Sequence, residues 1–169
     1  HRMQAAYDDT KENLQRFEPQ VKEGMELYLG ILEGFKSGFT GEPAADGKPM
    51  IVHCPYPGTG DIYLIGLFLK YYLEKHRIEN YVVTVVGNVS KKILALFGDF
   101  PVKVLSQKDS DKLLSFLRIM GEETPFKVLN DSYHRRMYRR LRGFKELDFL
   151  KMFAYGVFGF ETEEAVPLT

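Results

Sequence analysis

The sequence has no tryptophan, one cysteine and no excess of either charge: 23 Lys and Arg residues stand against 23 Asp and Glu residues in a chain of 169. A single cysteine excludes an intramolecular disulfide, which suits a reducing compartment, so the expected location is cytoplasmic. Cancelled charge leaves no whole-molecule field toward nucleic acid, which is not expected as a partner, or toward an anionic membrane. Any electrostatic preference has to come from local clusters. No apolar run approaches the roughly 20 residues a membrane-spanning helix needs. The start, His1-Arg2-Met3-Gln4, leads into charged sequence rather than an apolar signal-peptide core. Four histidines without short spacing between them make no metal centre, so none is expected.

What is present belongs to an ordinary globular domain. Hydrophobic residues make up 44% and charged residues 27%, in a length that suits one domain with a continuous core. Phe17, Val21, Met25, Leu29 and Leu32 recur at helical spacing, which predicts an N-terminal helical segment over residues 1–38, starting or kinking at Pro19. Gly, Pro and Asp then mark a loop over 39–48. From 49 to 160 short apolar runs alternate with amphipathic stretches. Strands are expected at 50–54, 81–86, 102–105 and 126–129. Helices are expected at 61–76, 89–97, after Ser106 to Met120, and over 133–142 and 145–157. This alternation predicts an α/β fold: a Rossmann-like three-layer sandwich with a mainly parallel sheet of about four strands. Residues 161–169 read as a frayed tail or the start of a missing second domain.

Ligands of such sheets bind beyond the carboxyl ends of the strands. There the first strand opens into Pro55-Tyr56-Pro57-Gly58-Thr59-Gly60-Asp61. The glycines permit a sharp turn or close approach of a ligand, and Asp61 falls at the start of the next helix, where a carboxylate is favoured. It is placed to accept a proton or hold a hydroxyl; the alternative is a plain N-cap. Three motifs fail at this loop. The dinucleotide fingerprint needs a third glycine where Tyr63 stands, and the nucleotide-hydrolase phosphate loop needs a lysine after Gly60. A cysteine phosphatase built on Cys54 needs an arginine where Gly60 stands. Cys54 is therefore read as the small, buried end of a strand.

Met50-Ile51-Val52, followed by Gly58-Thr59-Gly60-Asp61-Ile62, the apolar helix Tyr63 to Lys70 and the valine-rich Tyr81 to Gly87, resembles the acceptor-side half of the heptosyltransferase-type glycosyltransferases. The resemblance covers about Met50 to Asp131. It implies a GT-B architecture, in which one Rossmann-like domain holds the acceptor and a second holds the nucleotide-sugar. It also implies a transferase of cell-surface polysaccharide synthesis, with Asp61 as general base and a glycan or lipid-linked acceptor as partner. The chain is long enough for one of the two domains only. It is thus a fragment or a one-domain relative, expected to be inactive alone and to bind no cofactor. A nucleotide-sugar donor is expected only with a second domain or subunit. The competing expectation is a non-catalytic ligand-binding or assembly domain using the same sheet edge.

Other residues carry double readings. Gly58, Thr59 and Gly60 are expected to shape the substrate site. His53 either faces an acceptor or is packed and hydrogen-bonded; Asn88 and Ser90 either donate to a ligand or cap a helix; Asn130 and Asp131 share that ambiguity. His76 reads as a favourable charge at a helix end. Arg135, Arg136 and Arg139, with Arg140 and Arg142, form a guanidinium stripe. It either grips phosphate, including that of a peripheral membrane lipid, or is a solvated face pairing with Glu146 and Asp148. The aromatic run Phe144, Phe149, Phe153, Tyr155, Phe158 and Phe160 reads as core or domain-interface packing rather than a ligand box.

Overall fold

The computed structural model describes residues 19–36, 50–120, 126–130, 148–162 and 164–168. Helix α1 (Pro19–Lys36) precedes strand β1 (Met50–Cys54), helix α2 (Thr59–Lys75), strand β2 (Tyr81–Val86) and helix α3 (Asn88–Leu94). Strand β3 (Val102–Leu105), helix α4 (Gln107–Met120), strand β4 (Phe126–Val128) and the short helix α5 (Phe149–Lys151) follow. The last of these widens into a π-helical turn over Met152–Val157. The four strands form one all-parallel sheet in the order β3-β2-β1-β4, so the fold is the α/β, Rossmann-like sandwich expected.

Alternation along the strands divides the layers. Ile51, Val82, Leu105, Phe126 and Val128 pack with Met25, Tyr28, Ile31 and Leu32 of α1 and with Leu113, Phe116 and Leu117 of α4. Val52, Cys54, Val83 and Val85 face the other way, onto α2, Leu94 of α3 and the C-terminal aromatics. The period-two pattern of a strand covered on both faces produces this division. α1 is thus an outer layer of the same body. Gly24 lets it lie close on α4: a Cβ there would collide with the Lys112 carbonyl oxygen and with Phe116 Cβ. Glu23 and Lys112 pair across the contact at 2.7 Å.

Several boundaries move from their expected places. α2 starts at Thr59, two residues early, because Gly58 takes the N-cap and its carbonyl accepts from Ile62 N–H at 3.2 Å. α3 ends at Leu94, and Leu96 and Phe97 close it with tight bonds to the carbonyls of Ile93 and Leu94. β4 ends at Val128, although Leu129 N–H still bonds the His53 carbonyl at 2.9 Å. Ser106 caps α4, its hydroxyl accepting from Asp109 N–H at 3.1 Å. Within the described part of the helix expected over 145–157, Asp148 caps α5 by accepting from Lys151 N–H at 2.8 Å, and the wider π turn follows. The helix expected over 133–142 lies outside the described residues.

The described part of the C-terminal tail is docked on α2 through Glu164. Phe153, Phe158 and Phe160 are buried against α2, and the rings of Phe158 and Phe160 stack at 5.5 Å. Glu164 then clasps α2, accepting from Tyr71 Oη at 2.6 Å and from Lys75 Nζ at 2.7 Å. Those phenylalanines of the aromatic run are core packing, whereas Phe149 is exposed and Phe144 lies outside the described residues.

α2 ends in a Schellman arrangement. Ile78 N–H bonds the Leu73 carbonyl at 2.9 Å, Arg77 N–H bonds that of Glu74 at 3.1 Å, and Arg77 sits at φ +53°. Position C′ of this motif usually holds glycine; here an arginine carries the left-handed backbone.

Candidate functional site

Because every strand runs the same way, the carboxyl ends share one edge. There the Pro55–Gly58 loop, Gly87 and Asn88, Ser106, and Leu129 and Asn130 meet solvent or one another. The strand order sends the chain from β1 outward through β2 and β3, then back across to β4 on β1's other side. The switch point lies between β1 and β4, where an open parallel sheet splays its connections and leaves a crevice. The loop after β1 ends beside it.

Each part of that loop has a local cause. Pro55 is buried at the strand end, and half-buried Tyr56 leans on Phe153 of the π turn, ring centres 5.6 Å apart. Gly58 is the N-cap in extended conformation, φ −77° and ψ 136°, and contributes no side-chain hydrogen bond. Thr59 and Gly60 are exposed in the first turn. Asp61 is the third helical residue, so the N-cap reading of this carboxylate does not describe it. Instead it folds back over Gly58, where an added Cβ would stand 2.9 Å from Asp61 Oδ2. Gly58 is needed for that fold-back. Around Gly60 a Cβ meets nothing within 4 Å, so its neighbours impose no such demand. The half-exposed carboxylate lies at the positive end of a 17-residue helix. It can accept a hydrogen bond, or a proton, from a hydroxyl brought to this edge.

His53 is placed otherwise. It is wholly buried, facing the α4 layer, with Nδ1 2.7 Å from Thr84 Oγ1 and Nε2 2.9 Å from Ser110 Oγ. One ring nitrogen of a neutral imidazole donates and the other accepts, and a hydroxyl can meet either. Burial drives its pKa down to about 4. His53 is the packed, hydrogen-bonded histidine: it ties β1 to β2 and α4 and presents no nitrogen to the edge. Thr84 and Ser110, its partners, were not singled out in the sequence. One sits in a valine-rich strand and the other in an ordinary helical turn.

Among the remaining candidates, Asn88 is exposed in the first turn of α3, behind the N-cap Gly87 at φ +83°. Ser90 is buried and donates to the Val86 carbonyl at 2.9 Å, which turns it from the edge. Asn130 is half-buried on the same edge. The edge therefore gathers Gly58, Thr59, Gly60, Asp61, Asn88 and Asn130. His76 is the C-cap of α2, and burial, with Lys127 and Lys75 nearby, holds its pKa below the usual histidine value. Arg135, Arg136 and Arg139, and Asp131, lie outside the described residues. Burial pushes the Cys54 thiol up to about 12, an unreactive group.

A groove of about 490 Å³ opens at the opposite end of the sheet, where Lys70, Glu74 and Arg77 of the α2 end face Tyr81, Asp99 and Phe100. It is remote from Asp61 and shares no residue with the carboxyl edge. Among the described residues no three His, Cys, Asp or Glu side chains cluster to hold a metal ion, and no helix is long and apolar enough to cross a membrane. No protein-family model matches this chain, nor does any curated protein or any solved structure.

Proposed function

We propose that the chain is the acceptor-binding half of a glycosyltransferase, moving a sugar from a nucleotide-sugar to a hydroxyl acceptor in cell-surface glycan synthesis. The observation that carries this reading is Asp61: a half-exposed carboxylate in the first turn of α2, bent over a glycine N-cap at the switch-point edge. An acceptor hydroxyl donates its hydrogen to Asp61. As its oxygen bonds the anomeric carbon, the bond from that carbon to the diphosphate breaks and the proton passes to the carboxylate. Asn88 and Asn130 on the same edge suit further hydroxyls of a glycan or lipid-linked acceptor. The diphosphate is held by a second domain or subunit.

Calorimetric titration of hydroxylated acceptors and of nucleotide-sugars into the chain tests this. Acceptors bind and nucleotide-sugars alone do not. In the complete enzyme Asp61→Asn lowers turnover by about 10²- to 10⁴-fold, the usual weight of a general base. Unchanged turnover in that variant removes the mechanism, and tight nucleotide-sugar binding by this chain alone removes the assignment of halves. The seclusion of His53 favours a second reading, a non-catalytic ligand-binding or assembly domain on the same edge. Acceptor binding that Asp61→Asn leaves intact, with no transfer on adding any donor half, supports that one.

A further inference from the structure

The groove at the amino end of the sheet has no part in the site described above. It encloses about 490 Å³, within the usual range of small-molecule sites. One side of it is the end of α2 and its closing turn. There Lys70 and Glu74 stand four residues apart on one helix face, and Arg77 follows, its N–H bonded to the Glu74 carbonyl. Beyond Arg77 the lining holds Glu79, Tyr81, Phe97, Asp99 and Phe100: two carboxylates, three rings and no cation. Asp99 lies near Tyr81, since burial, and after it the Asp99 charge, raises the phenol above its ordinary pKa. Phe100 lies over Gly98, where an added Cβ would stand 3.1 Å from the ring. Tyr81, Phe97 and Phe100 are each only partly buried, so ring surface is left for a ligand.

We propose that this groove binds a small organic ammonium ion, with its cationic head among Asp99, Glu79 and the rings of Tyr81 and Phe100. Three kinds of attraction act together there. The carboxylates supply charge, and aromatic faces draw a cation through their quadrupole. The groove also lies at the end of a 17-residue helix, where the macrodipole is negative. Lys70 and Arg77 do not cancel this. They flank Glu74 along the chain and offset that carboxylate, and the lining as a whole still holds three carboxylates against two cations. An inorganic anion would meet those carboxylates. A divalent metal fits less well, because among the described residues no three His, Cys, Asp or Glu side chains gather to ligate one, and rings are poor ligands for a hard cation. The groove shares no residue with the carboxyl edge, so the proposal stands apart from the acceptor reading.

Choline is the probe, because its trimethylammonium head spreads the charge over an apolar surface of the kind ring faces attract. Titrated into the chain at low salt and followed by amide NMR, it moves the resonances of residues 77–81 and 97–100 and saturates. Dimethylbutanol, the uncharged isostere with carbon in place of the nitrogen, binds about ten-fold more weakly or less. Asp99→Asn, at an exposed position, keeps the fold by circular dichroism and weakens choline about ten-fold. Phe100→Leu keeps apolar volume but loses the ring face, and weakens choline several-fold. The absence of a saturable shift overturns the proposal, as does Asp99→Asn binding choline like the parent. Dimethylbutanol binding as tightly as choline also overturns it, by making the groove a merely apolar slot. So does calcium or sulfate moving the same resonances at lower concentration than choline, which would assign the groove to an inorganic ion. Acceptor titration is unchanged by Asp99→Asn, so the two readings fail separately.

Discussion

The two faces of the sheet are held by different physics. On the α2 side the seal is aromatic: Phe68, Tyr72, Phe153, Phe158 and Phe160 supply large buried area with forgiving ring geometry. On the α4 side the helices approach closely over Gly24, and a polar bridge, Thr84–His53–Ser110, crosses the interior. Area tolerates small shifts, whereas close approach and hydrogen bonds do not. The α2 face should therefore lose most when area is removed, and the α4 face when geometry or protonation is disturbed.

Phe158→Ala carries the largest expected effect. Its ring is buried between Phe68, Tyr72 and Phe160, and truncation should cost about 3–5 kcal/mol in denaturant unfolding. A loss below about 1 kcal/mol would show that aromatic area does not hold that face.

Acid should strike the other face. His53 has a folded pKa of about 4 against 6.5 when unfolded. Below pH 6.5 the unfolded chain takes up the proton that the buried ring refuses. The contribution is complete above 6.5, falls as pH drops toward 4, and is gone below it. It amounts to about 3 kcal/mol. His53→Gln, which can still bond one hydroxyl, should flatten unfolding free energy against pH across that window; an unchanged slope would assign the acid sensitivity to other groups.

The smallest effect sharpens the contrast. Gly24→Ala should destabilise by about 1–3 kcal/mol despite alanine's better helix propensity, because the new methyl meets backbone of α4 rather than a yielding side chain. A gain in melting temperature would mean the α1–α4 contact is looser than the geometry shows.

Much of this was legible in the chain itself, for a definite reason. Layering follows from alternation along strands such as Tyr81–Val86, and the fold class from apolar runs separated by helical stretches. Asp61 could be singled out because it follows a glycine turn at a strand end. Its exact role could not, because that depends on whether the N-cap falls at Gly58 or at Asp61. The partners of His53 lie 31 and 57 positions away, and neither threonine in a strand nor serine in a helix announces such a contact. The π turn was hidden for the same reason. Local propensity predicts an ordinary helix there, and packing of Phe153 against Tyr56, with Val157 buried in the same core, accompanies the wider winding.

The clasp between Glu164 and α2 has a consequence for reach. Tyr71 and Lys75 lie at the end of α2 farthest from Asp61, which the 17-residue helix separates by about 20 Å at 1.5 Å per residue. Glu164 therefore holds the tail near the amino edge of the sheet, about six extended residues' reach from Asp61. If the proposed donor half follows in the same polypeptide, its link leaves from this clasped end of α2 rather than from the Asp61 end.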